Sequence, residues 1–372
     1  MKIVVNTRLL IKGKLEGIGW FTRETLCRIT QKHPEHQFVF LFDRSYAPEF
    51  IFSSNITPVI IRPEARHPLL YYIWFEYSIR RYFSGASLFL SPDGLMPQSA
   101  GIPMLPVIHD INFVHYPGKL PLLTGWYYNY FFPRFARAAA RIATVSEFSK
   151  KDIATSFSIN PEIIDVVYNG SNSFYQPLNP IEIIATKQRY TRGCDYFIYV
   201  GMFNPRKNIA RLLLAFDAFK ISTSSDVKLV LVGEKMFGTS DMEKVYKRIK
   251  HKTDVIFAGR KNPEELKFLI GSALALTYVS YFEGFGIPLL EAMYADVPVI
   301  CSNNTSLPEV AGDAGLLVDP FSVDSIASAM KAVYGDIILR NSLIEKGRLQ
   351  RLKFSWDASA ALLWNSIEKC LI

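Results

Sequence analysis

The sequence predicts an α/β protein built from two doubly wound domains. The chain has 372 residues, and domains of about 100–200 residues make two the expected number. Apolar residues form 49% of the chain and charged residues 20%, which is enough apolar surface for two large cores. Short apolar runs alternate with helix-like segments along the whole length. This alternation is typical of parallel strands that are joined through helices.

A first series of apolar runs predicts the strands of the amino-terminal domain. Each run is short, is bounded by turn or polar residues, and lacks an alternating polar face, as expected of a strand covered on both sides. A helix is predicted over 22–31, soon after the first strand. The predicted strands are residues 3–5, 38–42, 59–61, 88–90, 106–108 and 141–145.

A second series predicts a carboxy-terminal domain with the same alternation. A helix is predicted over 205–220, and Asn262-Pro263 followed by two acids is typical of a helix start. The turn-rich residues 171–193 separate the two series, so we expect domains of 1–175 and 176–355. The predicted strands are residues 197–200, 228–232, 255–258, 273–276, 299–301 and 315–318.

Cysteine spacing, the first residues and the charge exclude several classes of protein. Cys27, Cys194, Cys301 and Cys370 show no zinc-ligand spacing, so we expect neither structural zinc nor a disulfide framework, and a reducing, cytoplasmic location. We expect no signal peptide, and the apolar run 268–282 is too short to span a membrane. The net charge of +8 is spread out, which disfavours nucleic acid as a partner. It suits a phosphorylated ligand or an anionic membrane, or is an ordinary solvated surface.

Two short motifs of the first domain lie at predicted strand ends. Gly17-Ile18-Gly19 precedes the first helix, where glycines let a backbone approach an anion; a plain turn is the alternative, because the full dinucleotide motif is absent. His109-Asp110 follows a strand, at the edge where open α/β sheets bind ligands. Neutral His109 could bond a substrate hydroxyl or polarise a leaving group, or be satisfied by local backbone.

Arg206 and Lys207 follow the first strand of the second series, just after Pro205. Cations are unfavourable in the first turn of a helix, because the helix dipole is positive there. Their position is explained if both bind an anion such as a phosphate. An exposed basic pair is the alternative.

The segment 283–291 is the most specific motif. Gly284 and Gly286 form a loop whose amides can meet phosphate or sugar oxygens, and a helix begins just after them. Glu291 can accept two hydrogen bonds from a vicinal diol, so it suits a ribose, and Glu283 can reach a second sugar. A favourable interaction of Glu291 with the helix dipole is the alternative.

In this order, the motifs resemble a glycosyltransferase of family 4, also called group 1, over nearly the whole chain. The resemblance implies a GT-B fold, in which two Rossmann-like domains face each other across a cleft. The acceptor binds the amino-terminal domain, the sugar nucleotide binds the carboxy-terminal domain, and a last helix within 356–372 returns to the first domain. The motifs are Gly17-Ile18-Gly19, His109-Asp110, residues 144–149, Val167-Tyr168-Asn169-Gly170, Pro205-Arg206-Lys207-Asn208, residues 283–291, residues 306–312 and Phe354-Ser355-Trp356.

The resemblance also implies a role for each motif. His109 would face the donor sugar, Glu283 would contact the transferred sugar, and Glu291 would hold the nucleotide ribose. Arg206 and Lys207 match the site of the diphosphate. The other implied contacts are backbone amides of Gly284, Phe285, Gly286 and Ile287 along the sugar and diphosphate, Gly17 and Gly19 as a loop approaching the diphosphate, and Gly259 and Arg260 beside the base.

The implied reaction is the transfer of a hexose with retention of its anomeric configuration. Many relatives carry Arg where this chain has Met202, so the leaving group rests on fewer cations here. The sequence contains no Asp-x-Asp pair, and we expect neither an essential metal nor another cofactor. We expect the leaving phosphate to deprotonate the acceptor hydroxyl on the same face.

The donor and the acceptor follow from the resemblance only coarsely. GDP-mannose is the favoured donor, and a surface polysaccharide or lipid-linked glycan is the expected acceptor. Residues 66–83 could form an amphipathic helix that, with the aromatic residues 126–132, meets a membrane peripherally, but buried helix packing is the favoured interpretation. An epimerase and a non-catalytic glycan-binding scaffold on the same fold are rival functions.

Overall fold

A computed structural model gives the fold of this protein. The chain divides into two compact units, unit 1 being residues 1–170 with 355–372 and unit 2 being residues 171–354. Each unit contains a parallel sheet with helices between its strands, which confirms the predicted fold class. The structure describes residues 1–118, 120–172, 174–234 and 240–372.

Unit 1 is built on parallel strands. They are β1 Lys2–Asn6, β2 Gln37–Phe42, β3 Ile56–Ile60, β4 Leu88–Ser91, β5 Met104–Pro106, β6 Ile142–Thr144 and β7 Ile164–Val166. Five of them form one sheet in the order β3-β2-β1-β4-β5, while β6 pairs with β7. All but the first residue of β1 and of β2 are buried, as expected of strands covered on both faces. Strand β7 was not predicted, because it has only three residues and an acid at its centre.

Helices join the strands of residues 1–170. They are α1 Gly17–Lys32, α2 Pro68–Ile73, α3 Asn112–His115, α4 Leu122–Ala138 and α5 Glu147–Phe157. Because α1 begins five residues before the predicted start, Gly17 and Gly19 lie in its first turn and not in a loop before it.

The segment 66–83 is helical but irregular, and it fits the alternative of buried packing. The segment contains α2, then a π-helical turn at Trp74–Ser78 and a 3₁₀ turn at Arg80–Tyr82. The side chains of Trp74 and Phe75 are buried in the core of unit 1, and Tyr77 is exposed. Most of its aromatic surface therefore packs inside the unit.

Unit 2 has a six-stranded parallel sheet in the order β10-β9-β8-β11-β12-β13. Its strands are β8 Tyr196–Val200, β9 Lys228–Val232, β10 Val255–Gly259, β11 Ala275–Tyr278, β12 Val299–Ser302 and β13 Gly315–Val318. Its helices are α6 Pro180–Thr191, α7 Ile209–Thr223, α8 Ser240–Arg248, α9 Pro263–Gly271, α10 Ile287–Tyr294, α11 Leu307–Ala311, α12 Val323–Gly335 and α13 Ile337–Gln350.

Of two helix starts predicted in unit 2, one is confirmed and the other is interrupted. The Asn262 side chain accepts a hydrogen bond from the Glu265 amide and caps α9, which confirms that start. The predicted helix over 205–220 is interrupted: Pro205–Lys207 is a 3₁₀ turn, and α7 begins only after Asn208, which has a positive φ of 61°.

The last helix, α14 Trp356–Lys369, belongs to unit 1 and packs against α1. Its buried side includes Leu363 and Trp364, and the Trp364 ring stacks on His33 at 3.6 Å. Asp357 pairs with Arg28 and Lys32 of α1 at 3.3 and 3.4 Å. The expected return of the chain to the first domain is therefore present.

Candidate functional site

The strand order of unit 2 reverses between β8 and β11, which are paired neighbours. The segments 201–208 and 279–286 leave the carboxyl ends of these two strands. Open α/β sheets bind ligands at such a reversal. The structure therefore brings the two most specific sequence motifs to one edge of one sheet.

Arg206, Lys207 and Glu283 meet at this edge. Lys207 Nζ lies 2.6 Å from Glu283 Oε1, and Arg206 Nη1 lies 3.1 Å from Glu283 Oε2. Lys207 Nζ also donates to the Tyr278 hydroxyl at 2.9 Å. Lys207 and Glu283 are 9% and 6% exposed, so this is a nearly buried cluster. Two cations and one carboxylate leave it with one net positive charge.

The charge state of Glu283 follows from these neighbours. Burial by itself raises its pKa, but the charges of Lys207 and Arg206 lower the pKa to about 2. Glu283 is therefore ionised at neutral pH and only accepts hydrogen bonds. It can bind a sugar hydroxyl, but it cannot donate a proton to a leaving group.

Asn208 fixes the two segments to each other. Its side-chain Nδ2 donates to the carbonyl oxygens of Val279 and Pro320 at 2.9 and 2.8 Å. The Asn204 side chain accepts from the Lys207 amide and caps the 3₁₀ turn. This role of Asn208 was not predicted, although asparagine is one of the few residues that adopt a left-handed backbone readily.

The glycine loop leads directly into α10. Gly286 caps this helix with φ of 103°, and Ile287 is its first residue. Ser306 Oγ holds the loop, at 2.9 Å from the carbonyl oxygen of Glu283 and 3.1 Å from that of Phe285. The first amides of a helix lack partners within the helix and favour anions, which suits the expected backbone contact of Ile287, the first residue of α10.

Phe285 differs from its neighbours in the loop, because its side chain is part of the core. Its ring is 4% exposed and packs edge-on against Phe354 at 5.6 Å. Any contact that Phe285 makes with a ligand is therefore through its backbone, as expected.

Glu291 lies in the second turn of α10. Burial raises the pKa of Glu291 to about 7, and the neighbouring Tyr175 hydroxyl opposes this rise. Unlike Glu283, this carboxylate has no cation acting on it among the described residues.

The neighbouring residues Gly259 and Arg260 have different surroundings in the structure. Gly259 ends β10 with φ of 70° and borders a cavity of about 570 Å³ together with Gly233, Phe203 and Tyr246. Arg260 is exposed and does not line this cavity. The expected contact of Gly259 and Arg260 with a base stays a prediction.

Unit 1 carries its own strand-order reversal, between β1 and β4. Arg8 follows β1 and pairs with Asp93, which follows β4, through Nε and Oδ2 at 2.6 Å. Asn6 Nδ2 donates to Asp93 Oδ1 at 2.9 Å. These residues were not predicted, although polar side chains at the ends of two predicted strands are a signal of a ligand site.

His109 lies near the same edge of unit 1. Its Nε2 is 2.9 Å from the Pro92 carbonyl oxygen, which can only accept, so Nε2 carries the proton and Nδ1 is an acceptor. Burial lowers the pKa of His109, which keeps the ring neutral. The Phe21 ring meets its face edge-on at 5.0 Å. His109 can therefore accept a hydrogen bond from a hydroxyl.

Gly19 has a structural reason to be glycine. A Cβ at this position would lie 3.1 Å from the Leu15 side chain and 3.3 Å from the Leu9 carbonyl oxygen. Close packing accounts for Gly19 without a ligand. Gly17 is the first residue of α1.

One group of three possible metal ligands is present in the described residues: His33, Glu35 and His36, with ligand atoms within 4.8 Å of one another. Trp364 stacks on His33, and the Met1 amine lies 3.3 Å from His36 Nδ1. This cluster follows α1 and includes no predicted site residue. Independence from metal remains a prediction.

Comparison with solved structures defines the class of fold. The chain superimposes on a crystal structure titled as Anabaena Alr3699/HepE in complex with UDP and glucose, with a TM-score of 0.76 and 16% identity, over 99% of each chain. It also matches a structure titled WaaG, a glycosyltransferase involved in lipopolysaccharide biosynthesis, with a TM-score of 0.71 and 16% identity, over 97% of this chain and 98% of that one. These similarities confirm the GT-B fold.

Sequence comparison gives the family. Residues 24–173 match Glycosyltransferase Family 4, and residues 182–350 match Glycosyl transferases group 1. The chain is 34% identical to the O-antigen chain mannosyltransferase B of Escherichia coli, over 67% of this chain and 66% of that protein, or about two thirds of its length. This chain belongs to the group 1, or family 4, glycosyltransferases. Within the described residues, no helix is both long and apolar enough to cross a membrane.

Proposed function

We propose that this protein is a retaining hexosyltransferase that uses a nucleoside-diphosphate sugar, with GDP-mannose favoured, to extend a glycan or lipid-linked glycan in surface-polysaccharide synthesis. The cluster of Arg206, Lys207 and Glu283 at the strand-order reversal carries this proposal. The cations suit a diphosphate, Glu283 suits a sugar hydroxyl, and Glu291 suits a ribose. The name of the Escherichia coli relative supports mannose as the hexose.

The proposed reaction breaks the bond between the anomeric carbon and the diphosphate oxygen. Negative charge develops on that oxygen, where Arg206 and Lys207 stabilise it without reorganisation. The acceptor oxygen bonds to the anomeric carbon on the same face, and its proton passes to the departing diphosphate. Neutral His109 accepts a hydrogen bond from the donor sugar. The two cations supply the positive charge, so the reaction needs no metal.

Turnover of a donor panel tests this function. GDP-mannose, UDP-glucose and UDP-N-acetylglucosamine are incubated with lipid-linked and free glycans in EDTA, and the anomeric configuration of the product is read by NMR. We expect one donor to react with retention and Lys207→Met to lower kcat at least 100-fold. Lys187→Met is the matched control, because Lys187 also pairs with an acid, Asp195, at 2.6 Å. Nucleotide binding without turnover of any donor would favour the scaffold function instead.

We also propose that α4 meets the membrane surface that carries a lipid-linked acceptor. Leu122, Trp126 and Tyr130 are 90%, 58% and 42% exposed on this helix, and Arg134 stacks on Tyr130 at 3.6 Å. Exposed aromatic and basic residues on one helix suit an anionic interface. Flotation with phosphatidylglycerol vesicles tests the contact: Trp126→Ser should weaken binding, and Ile184→Ser, on exposed α6, should not. Wild-type protein that stays unbound would refute it.

A further inference from the structure

Three side chains of the types that bind metals meet at the turn between α1 and β2 of unit 1. His33 Nδ1 and His36 Nε2 lie 3.5 and 3.2 Å from the same oxygen, Oε1 of Glu35. The ligand atoms of the three residues lie within 4.8 Å of one another. We propose that His33, Glu35 and His36 bind one Zn²⁺ or a similar transition-metal cation, with water completing its coordination.

The spacing of these atoms fits the coordination sphere of zinc. Zinc holds histidine nitrogens and carboxylate oxygens at about 2.0–2.2 Å, in tetrahedral geometry. Two ligand atoms of such a sphere stand about 3.4 Å apart. The distances of 3.5 and 3.2 Å at Glu35 Oε1 are close to this value. Two of the three ligand-to-ligand distances therefore already have the length that a bound metal requires.

The ligand types decide which cations fit. Imidazole suits zinc, copper, iron and nickel, whereas magnesium and calcium prefer oxygen ligands. Two histidines and one glutamate form a ligand set that binds zinc and leaves a position open for water. Both histidines are half-buried and Glu35 is exposed, so an ion can enter from solvent. The Met1 amine lies 3.3 Å from His36 Nδ1, and in its neutral form it can accept the Nδ1 proton of a metal-bound ring.

The turn that carries the ligands is held by residues outside it. Asn55 Nδ2 donates to the carbonyl oxygens of His33 and His36, both at 3.0 Å. The His33 ring stacks on Trp364 of α14 at 3.6 Å. These contacts fix the backbone at both histidines and the plane of one ring. A metal therefore meets ligands that are already in place, and binding does not have to order the turn.

The position of this turn in unit 1 separates it from the proposed reaction. Residues 33–36 lie before the amino end of β2, whereas Asn6, Asp93 and His109 lie at or after the carboxyl ends of strands in the same parallel sheet. These are opposite edges of the sheet, and ligands of open α/β sheets bind at the carboxyl edge. A metal at this turn would stabilise unit 1 and take no part in catalysis. The inference is therefore independent of the proposed function.

Titration of the untagged full chain with Zn²⁺ tests the site. Protein stripped of metal by a chelator is titrated by calorimetry at pH 8, because the ligands must be deprotonated, and Mg²⁺ is titrated for comparison. Co²⁺ is then bound in place of Zn²⁺, since its visible absorption reports the coordination geometry. The variants are Glu35→Gln and His36→Gln. His251→Gln is the matched control: His251 also faces a carboxylate, that of Asp217 at 2.8 Å, but belongs to no group of three possible ligands within the described residues.

We expect one Zn²⁺ to bind per chain and Mg²⁺ not to bind. Glu35→Gln and His36→Gln should each weaken zinc binding at least about 100-fold, since a hydrogen-bond partner of a metal ligand is already worth about 10–100-fold. His251→Gln should keep the wild-type affinity. Zn²⁺ at 100 times its dissociation constant should raise the melting temperature of unit 1 by up to about 10 °C. The rise is smaller to the extent that residues 33–36 bind zinc in the unfolded chain.

Two results would overturn this inference. Wild-type protein that binds no zinc would show that the three side chains do not form a metal site. Wild-type zinc affinity in either Glu35→Gln or His36→Gln would show that the ion binds elsewhere. Because the turnover assay of the proposed function is run in EDTA, its failure would leave the zinc titration unaffected, and failure of the titration would leave the proposed function unaffected.

Discussion

Lys207 and Glu283 are both nearly buried, and each side chain largely neutralises the charge of the other. Removing one partner of a buried pair costs about 3–5 kcal/mol, whereas replacing both by apolar residues is often neutral. We predict that Glu283→Leu lowers the free energy of unfolding by about 3 kcal/mol. The double variant Lys207→Met/Glu283→Leu should recover most of this loss. Urea unfolding measures both, and additive losses would contradict the prediction.

The same cluster predicts a dependence of stability on acid. The pKa of Glu283 is about 2 in the folded protein and about 4.3 in an unfolded chain. A lowered pKa stabilises the fold above the unfolded value, and this contribution is lost as the pH falls through 4 towards 2. We predict that the melting temperature of Glu283→Gln is well below that of the wild type at pH 6, and that this difference in melting temperature is smaller at pH 3. Glu264→Gln is the control, because Glu264 is exposed. A difference in melting temperature that is the same at pH 6 and pH 3 would contradict the pairing of Glu283 with Lys207 and Arg206.

At the scale of residues, sequence identified the cluster but not how it is held. Arg206, Lys207 and Glu283 were predicted because charged types at strand ends point to anions and sugars. Tyr175 was not predicted, because a tyrosine 116 positions from Glu291 carries no local signal. The fold alone makes Tyr175 a neighbour of Glu291.

At the scale of elements, the turn into α10 requires a glycine. Gly286 has φ of 103°, and a Cβ there would lie 2.7 Å from buried Leu307. Gly85 also has a positive φ, 68°, but a Cβ there would meet no atom within 4 Å. We predict that Gly85→Ala costs about 1 kcal/mol, from backbone strain, and Gly286→Ala roughly 1–3 kcal/mol more, from strain and overpacking. Equal shifts in urea unfolding would show that Leu307 yields freely.

Element boundaries were predictable where one residue controls them. Asn262-Pro263 starts α9 as predicted, because the cap and the first helical position are chemically distinct. The break at Asn208 was missed, since its cause is tertiary: its side chain bonds carbonyls of Val279 and Pro320. Periodicity likewise could not show that the residues after Ile73 leave the α-helical path.

At the scale of the molecule, both strand-order reversals follow from topology and could not be located from apolar runs alone. The runs predicted two parallel sheets, but not their strand order. That order is what places Arg8 beside Asp93 in unit 1 and Lys207 beside Glu283 in unit 2. Arg8 and Asp93 have side chains typical of a ligand site, but they were not predicted because the sequence does not show that they are neighbours.

The membership of the last helix in unit 1 gives a prediction for the whole chain. Leu362 and Leu363 are adjacent on α14, but Leu362 is 38% exposed and Leu363 is fully buried. Replacing a buried leucine by alanine removes apolar contacts and leaves a cavity, which lowers the free energy of unfolding by about 2–5 kcal/mol. The same substitution at an exposed position changes it by only about 0.5 kcal/mol. Since about 2–4 °C accompanies each kcal/mol in a domain of this size, Leu363→Ala should lower the melting temperature of unit 1 by roughly 4–20 °C. Leu362→Ala should leave it nearly unchanged, and nucleotide binding by unit 2 should survive in both. Equal melting temperatures for the two variants would show that α14 is not part of the core of unit 1.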